Sequence, residues 1–227
     1  TLILRPFNFE TFATTAYISA SEDLDVIIMD TEGIDALDAS SENDTQIFTL
    51  AILLSSVFLY NSVGHIDEAA VQTLSFMSNV SNYIDPEMSP PVFFWILRDF
   101  SLEMVDKNGK RIENNEYLEV SLKTSLDEKN GTRECIKRIF KERELHTLPR
   151  PCKGDSAQKL DAKHSSINPK FMSSMAMLRE KILNACKALN ISNAPVDGRT
   201  FANMCCMILD KNKIHQLIYL LPFLKKY

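Results

Sequence analysis

Two short runs place acids where an apolar stretch ends. Asp30-Thr31-Glu32-Gly33 follows Val26, Ile27, Ile28 and Met29, and Arg98-Asp99 follows "VFFWIL", Val92 to Leu97. An acid at the end of a buried strand, followed two residues later by a second acid and then by glycine, suits work beside a divalent cation and a terminal phosphate. The strand would fix Asp30 near Mg²⁺, directly or through its waters. Gly33 would let a backbone N–H approach the γ-phosphate where a Cβ would clash. D-x-x-G alone is a weak pattern, and a metal-dependent phosphatase using Asp30 and Glu32 as Mg²⁺ ligands is another reading of the same acids. The second run carries different chemistry. One carboxylate can accept from both N1–H and N2–H₂ of guanine, a donor pair that adenine does not present. A mismatched base would leave Asp99 unpaired at a cost of about 1 to 3 kcal/mol. Arg98 would lay its guanidinium plane near the base or hold the loop; taken alone, Arg98 and Asp99 are equally a surface ion pair.

These residues need elements to hold them. Strands are expected at residues 14–19, 25–30, 57–60 and 92–99, the last three apolar on both faces as central parallel strands are. A helix capped by Asn43 or Asp44 should run to Leu54. Residues 67–83 carry Ala70, Val71, Leu74, Met77 and Val80 at the spacing of an amphipathic helix. Further helices are expected near residues 115–122 and 132–141, with a loop at 148–168. A long helix starts at Pro169, the proline suiting a first helical position. Its apolar positions Met172, Met175, Leu178, Ile182 and Ala185 recur at the spacing of a packed helix, and its three methionines, Met172, Met175 and Met177, are expected to fill core. The tail from Gly198 reads as two further helices. Alternation of strand and helix, with acids at carboxyl ends, predicts an α/β fold: a doubly wound, mainly parallel sheet flanked by helices, with the start of an all-α region at the C-terminus. In such sheets ligands gather outside the carboxyl ends of the strands.

The totals agree with a soluble globular protein. The chain has 227 residues, 45% of them hydrophobic, enough to build a core, and a formal net charge of -5. That acidic balance and the short, interrupted basic run "CIKRIFKER" give no nucleic-acid surface; the run reads as a solvated helix face. Five unpaired-looking cysteines suit reduced thiols in a cytoplasmic protein, and four isolated histidines lack metal-ligand spacing. The most apolar run, residues 47–60, is short of the ~20 residues a membrane-spanning helix needs.

The stretch from Met29 to Leu74 resembles the guanylate-binding protein family of large GTPases, relatives of dynamin. It places Asp-Thr-Glu-Gly (Asp30 to Gly33), Ile-Phe-Thr-Leu (Ile47 to Leu50), Leu-Leu-Ser-Ser (Leu53 to Ser56) and Tyr-Asn-Ser (Tyr60 to Ser62) in the family's order. "VFFWILRDF" resembles the family's base-recognition strand, and "LPRP" (Leu148 to Pro151) the Arg-Pro that opens its guanine cap. "INPKF" and "VDGRTF" resemble the last helix of the GTPase domain and the start of the helical middle domain. Atlastins, with Gln in place of Glu32, fit less well. The resemblance covers residues 25–209 and implies a P-loop GTPase-like fold over residues 1–195, with the middle domain beginning at 196–227. It implies Mg²⁺-dependent binding of GTP and hydrolysis to GDP, with GMP a further product that the family allows. Glu32 would organise the water network at the attacked phosphate, Asp30 would serve the Mg²⁺, Gly33 the γ-phosphate, and Arg98 and Asp99 the guanine base. Arg150 would belong to the guanine cap, through which the family forms a nucleotide-dependent homodimer. The basic residues expected after Arg150 are replaced by "CKGDSAQKL". Thr14 or Thr15 would be the switch hydroxyl on the metal, unless that segment is an ordinary edge strand.

One departure matters. No Gly occurs before Gly33, so the family's G-x-x-x-x-G-K-S/T loop, which cradles the phosphates and supplies a hydroxyl to Mg²⁺, does not precede Asp30. The chain alone is expected to bind GTP poorly. It reads as a piece of a longer GTPase, since Thr1 is not a start residue; the alternative is a catalytically inactive GTPase-like interaction scaffold. Any membrane association would come through parts outside this sequence.

Overall fold

The computed structural model describes residues 16–21, 24–29, 51–75, 77, 90–106, 108–123, 131–152, 167–191 and 194–209. Asp30, Thr31, Glu32 and Gly33, the loop and most of the helix after them, and Thr14 and Thr15 lie outside these residues, as does the last helix expected in the tail.

At the centre stand three parallel strands in the order β3-β4-β5: β3 (Val57–Val63), β4 (Val92–Arg98) and β5 (Arg143–Leu148). Val57 pairs with Val92 and Val63 with Arg98, while Phe93 pairs with Arg143 and Arg98 with Leu148, so all three strands end together. β1 (Ala16–Ser21) and β2 (Leu24–Ile28) form an antiparallel pair. The strand expected at residues 14–19 corresponds to β1, which continues to Ser21; β2, expected as a central parallel strand, is instead paired antiparallel with it among the described residues.

Side chains alternate between two apolar clusters with the period of two that a strand imposes. On β4, Phe93, Trp95 and Leu97 enter the larger cluster, and Val92, Phe94 and Ile96 the smaller one. β3 splits in the same way, Phe58 and Tyr60 from Val57 and Leu59. β2 follows suit, with Ile27 and Met29 in the larger cluster and Val26 and Ile28 in the smaller. A strand apolar on both faces needs cover on both. The larger cluster is covered by α1 (Glu68–Gln72) through Val71, by α2 (Asn114–Ser121) through Leu118, and by α3 (Gly131–Ile139) through Ile136 and Ile139. The smaller is covered by α4 (Pro169–Ala185) through Leu178 and Ile182. Helices on both faces of a parallel sheet make the doubly wound α/β fold, of the P-loop GTPase-like type. Within the larger cluster Phe93 and Phe140 stack at 4.6 Å, and Trp95 meets Tyr60 edge-on at 5.2 Å. The indole N–H of Trp95 donates to Ser62 Oγ at 2.9 Å across β3 and β4.

Several expectations need correction. β5 was not anticipated, because "RELHTL" carries three ionisable side chains. They are accommodated because β5 borders the central sheet: Arg143 pairs with Glu119 at 2.9 Å and Glu144 with Lys181 at 2.6 Å. On its outer side, Asn114 Nδ2 donates to the Leu145 carbonyl at 3.2 Å and the Leu145 amide donates to Asn115 Oδ1 at 2.9 Å. Two side chains thus take the place of a further strand and blunt the edge. The basic run "CIKRIFKER" is not one solvated face, since Cys135, Ile136, Ile139 and Phe140 are buried and Arg143 belongs to β5. Of the line expected along α4, Leu178, Ile182 and Ala185 pack into the smaller cluster, joined by Phe171, but the methionines do not fill core: Met172, Met175 and Met177 are exposed. After α1 the chain turns at residues 73–75, so the helix expected to residue 83 is described only in its first part. The short pair β6 (Asn190–Ile191) and β7 (Ala194–Pro195) leads into α5 (Gly198–Leu209), whose Met204 reaches the larger cluster.

Candidate functional site

The strand ends and the loops beyond them build one cavity. β4 stops at Arg98, one residue short of expectation, because Asp99 takes a left-handed backbone with φ of 57°. Asp is among the few residues with a side chain that tolerate this conformation. Two hydrogen bonds fix the turn from either side. The Gly64 amide donates to the Arg98 carbonyl at 2.8 Å, and the Phe100 amide donates to the Leu148 carbonyl at 3.2 Å. The ends of all three strands are thereby tied around Asp99.

From β5 the chain passes into Pro149, Arg150 and Pro151. Pro149 fixes its own φ, and Pro151 biases Arg150 towards extended backbone. Asn168 then clamps this segment onto the start of α4. Its amide donates to the Pro151 carbonyl at 2.7 Å and its Nδ2 to the Arg150 carbonyl at 3.2 Å. Its Oδ1 also caps the helix by accepting from the Lys170 amide at 3.0 Å. Between these parts lies a cavity of about 660 Å³. Arg98, Asp99 and Arg150 supply its charge, and Leu148, Pro149, Pro151, Cys152 and Phe171 its apolar wall. A volume of that order is in the range of small-ligand pockets.

Within the site, Asp99 is paired with Arg150, Nε to Oδ2 at 3.4 Å. The alternative that Arg98 and Asp99 form their own surface pair is therefore replaced: Arg98 lines the cavity beside Asp99, and the cation on the carboxylate comes from the loop after β5. The structure brings Arg98, Asp99 and Arg150 together. Phe171, Asn168 and Gly64 were not singled out from sequence as site residues; the Asn-Pro at 168–169, an N-cap followed by a first-turn proline, was the available signal for the clamp.

Beneath the loop, His146 on β5 packs against α4. Its Nε2 lies 2.9 Å from the Ser174 carbonyl and 3.0 Å from Ser174 Oγ; because a carbonyl only accepts, Nε2 carries the proton. Ser174 Oγ donates onward to the Thr147 carbonyl at 2.8 Å. Burial pushes the His146 pKa down and outweighs the opposite pull of the Ser174 bond. Among the described residues no group of three or more His, Cys, Asp or Glu is placed to hold a metal ion. Nor, among them, is any helix long and apolar enough to cross a membrane.

A parallel α/β sheet with a charged cavity outside its strand ends places the domain in the doubly wound α/β class, whose ligands gather at such ends. Comparison narrows the class. Residues 16–191 match the profile of the guanylate-binding protein N-terminal domain. Mouse guanylate-binding protein 2 is 33% identical over 182 residues, which cover 70% of this chain and 31% of that protein. Human guanylate-binding protein 2 is 33% identical over 197 residues, 76% of this chain and 33% of that protein. Human guanylate-binding protein 1 is 30% identical over 192 residues, 74% of this chain and 32% of that protein. The chain belongs to the guanylate-binding protein family of large GTPases. It spans about a third of the length of the curated relatives it matches.

Proposed function

We propose that the cavity at the ends of β4 and β5 receives the base of a guanine nucleotide, and that the chain is the base-binding part of a GTPase that hydrolyses GTP to GDP. The observation that carries this reading is Asp99: a carboxylate held by a left-handed turn, braced by Gly64 and Leu148, at the edge of a cavity with an apolar wall. Its two oxygens match N1–H and N2–H₂ of guanine. Arg98 is positioned to face the base from the same cavity. The relatives' printed name, guanylate-binding protein, supports the same ligand.

Asp30, Glu32 and Gly33 are assigned to the phosphate end, with Thr14 or Thr15 as the hydroxyl contributor. A divalent cation, Mg²⁺ by family resemblance, would be held through Asp30 and would neutralise charge on the triphosphate. The described residues bind and orient the base; GMP formation and a nucleotide-dependent homodimer through the Arg150 segment belong to the same proposal.

Binding of GDP, IDP and ADP to the chain, followed by ligand-observed NMR at millimolar nucleotide because the phosphates are expected to be held weakly, tests the reading. Hypoxanthine keeps N1–H but lacks N2–H₂, so IDP should bind more weakly than GDP. ADP, which offers neither donor, should be about five- to a hundred-fold weaker. Equal affinities for the three would remove the base site and leave the interaction-scaffold reading.

A further inference from the structure

We infer that Asn168 is a positioning residue of the base cavity: it holds the loop that forms half of the cavity lining, and through that loop it sets how firmly a purine base is gripped. This deepens the guanine reading and rests on it. Four of the eight residues around the cavity, Pro149, Arg150, Pro151 and Cys152, lie on the loop that follows β5. Pro149 and Pro151 have no N–H to donate, so the loop depends on its carbonyls for anchorage. Among the described residues two of these carbonyls are bound, both by Asn168: its amide donates to Pro151 at 2.7 Å and its Nδ2 to Arg150 at 3.2 Å. The ion pair of Arg150 with Asp99 is exposed and holds a backbone only weakly.

Asn168 can serve as the anchor because it is itself fixed. Its Oδ1 accepts from the Lys170 amide at 3.0 Å and its carbonyl from the Met172 amide at 3.1 Å, so every polar group of the residue is engaged where α4 begins. The helix in turn is seated on the smaller cluster through Leu178 and Ile182. Phe171, on that same first turn, packs against this cluster and also lines the cavity, so Asn168 joins the loop to the element that carries the aromatic part of the wall. The helix cap and the loop bond use different atoms. Asn168→Asp and Asn168→Ser keep an oxygen that caps the helix, but Asp has no donor and the hydroxyl of Ser is one bond shorter than Nδ2. With one of its two bonds lost, the loop spends part of its time away from the cavity, and apparent affinity falls with the fraction of time it is in place. An apolar wall carries no hydrogen-bond code, so guanine and hypoxanthine lose alike, while discrimination between them stays with Asp99.

Titration of GDP and IDP on the full chain tests this, followed by ligand-observed NMR at millimolar nucleotide, with wild type, Asn168→Asp, Asn168→Ser and, as the reference for the base site, Asp99→Asn. Both variants at position 168 should weaken GDP and IDP by the same factor, about two- to ten-fold, with a thermal midpoint within about 3 °C of wild type. Unchanged affinity in both overturns the inference, because Asn168 then serves the helix alone. A loss confined to Asn168→Asp overturns it too, since that variant alone adds a charge. So does a loss that alters the ratio of GDP to IDP, which would put the residue at the base edge, and so does a larger fall of the midpoint accompanying the lost affinity, which would make it a support of the fold and not of the loop. In each of these cases a GDP preference in wild type that Asp99→Asn removes leaves the base site standing. If wild type does not distinguish GDP from IDP and Asp99→Asn changes nothing, the guanine reading itself fails and takes the inference with it.

Discussion

The amide of Gly64 donates to the carbonyl of Arg98 at 2.8 Å, joining the ends of β3 and β4 one residue before the left-handed Asp99. Gly64 itself has φ of 84°, and a Cβ built there would meet nothing within 4 Å. Gly64→Ala should therefore cost about 1 to 2 kcal/mol from backbone conformation alone, with no steric contribution. Urea denaturation measures this directly, and a cost above that range would show that the turn cannot adjust.

Ser62→Ala should destabilise the sheet by about 1 to 3 kcal/mol, because it leaves the indole N–H of fully buried Trp95 without its acceptor. Trp95 is the sole tryptophan in the chain, so its emission reports the change without labelling. A neutral result would mean that the indole N–H is satisfied elsewhere.

Stability should fall on acidification because of His146. In the unfolded chain the imidazole titrates near pH 6.5, whereas burial holds its folded pKa lower. Below about pH 6.5 the unfolded state takes up a proton that the folded state refuses. The contribution is thus complete above that pH and is lost as pH falls towards the depressed folded value. His146→Gln should flatten this part of the stability profile, followed by denaturation midpoints across the acid range.

On α4 the exposed and buried apolar positions should separate sharply. Leu178→Ala is expected to cost about 2 to 5 kcal/mol, while Met172→Gln and Met177→Gln should stay within about 0.5 kcal/mol. Thermal denaturation of the three variants checks the rotation of the helix about its axis.

The central strands were legible because burial on both faces leaves an unbroken apolar run, and Phe93 to Leu97 sit as that pattern requires. β5 was hidden for the opposite reason: its Arg143, Glu144 and His146 are matched by Glu119, Lys181 and Ser174, partners distant in sequence. The Arg-Asp pair on β4 read correctly as the end of a strand, but its electrostatic partner did not. Which cation meets Asp99 depends on the parallel register that brings Arg98 opposite Leu148, and so Arg150 within reach. No local pattern encodes that adjacency. On α4 the line Leu178, Ile182 and Ala185 was legible, but the exposed methionines were not separable from it, since Met172 and Leu178 differ in burial and not in hydrophobic character.

Base preference of Asp99→Asn tests the central claim most directly. Asn presents a carbonyl to N1–H and an amide N–H to the carbon-2 oxygen of xanthine, and it tolerates the left-handed backbone, so the fold is kept while the recognition code changes. Measured side by side on wild type and variant, the preference should move from guanosine diphosphate to xanthosine diphosphate. An unchanged order of the two ligands would contradict the assignment of Asp99 to the base.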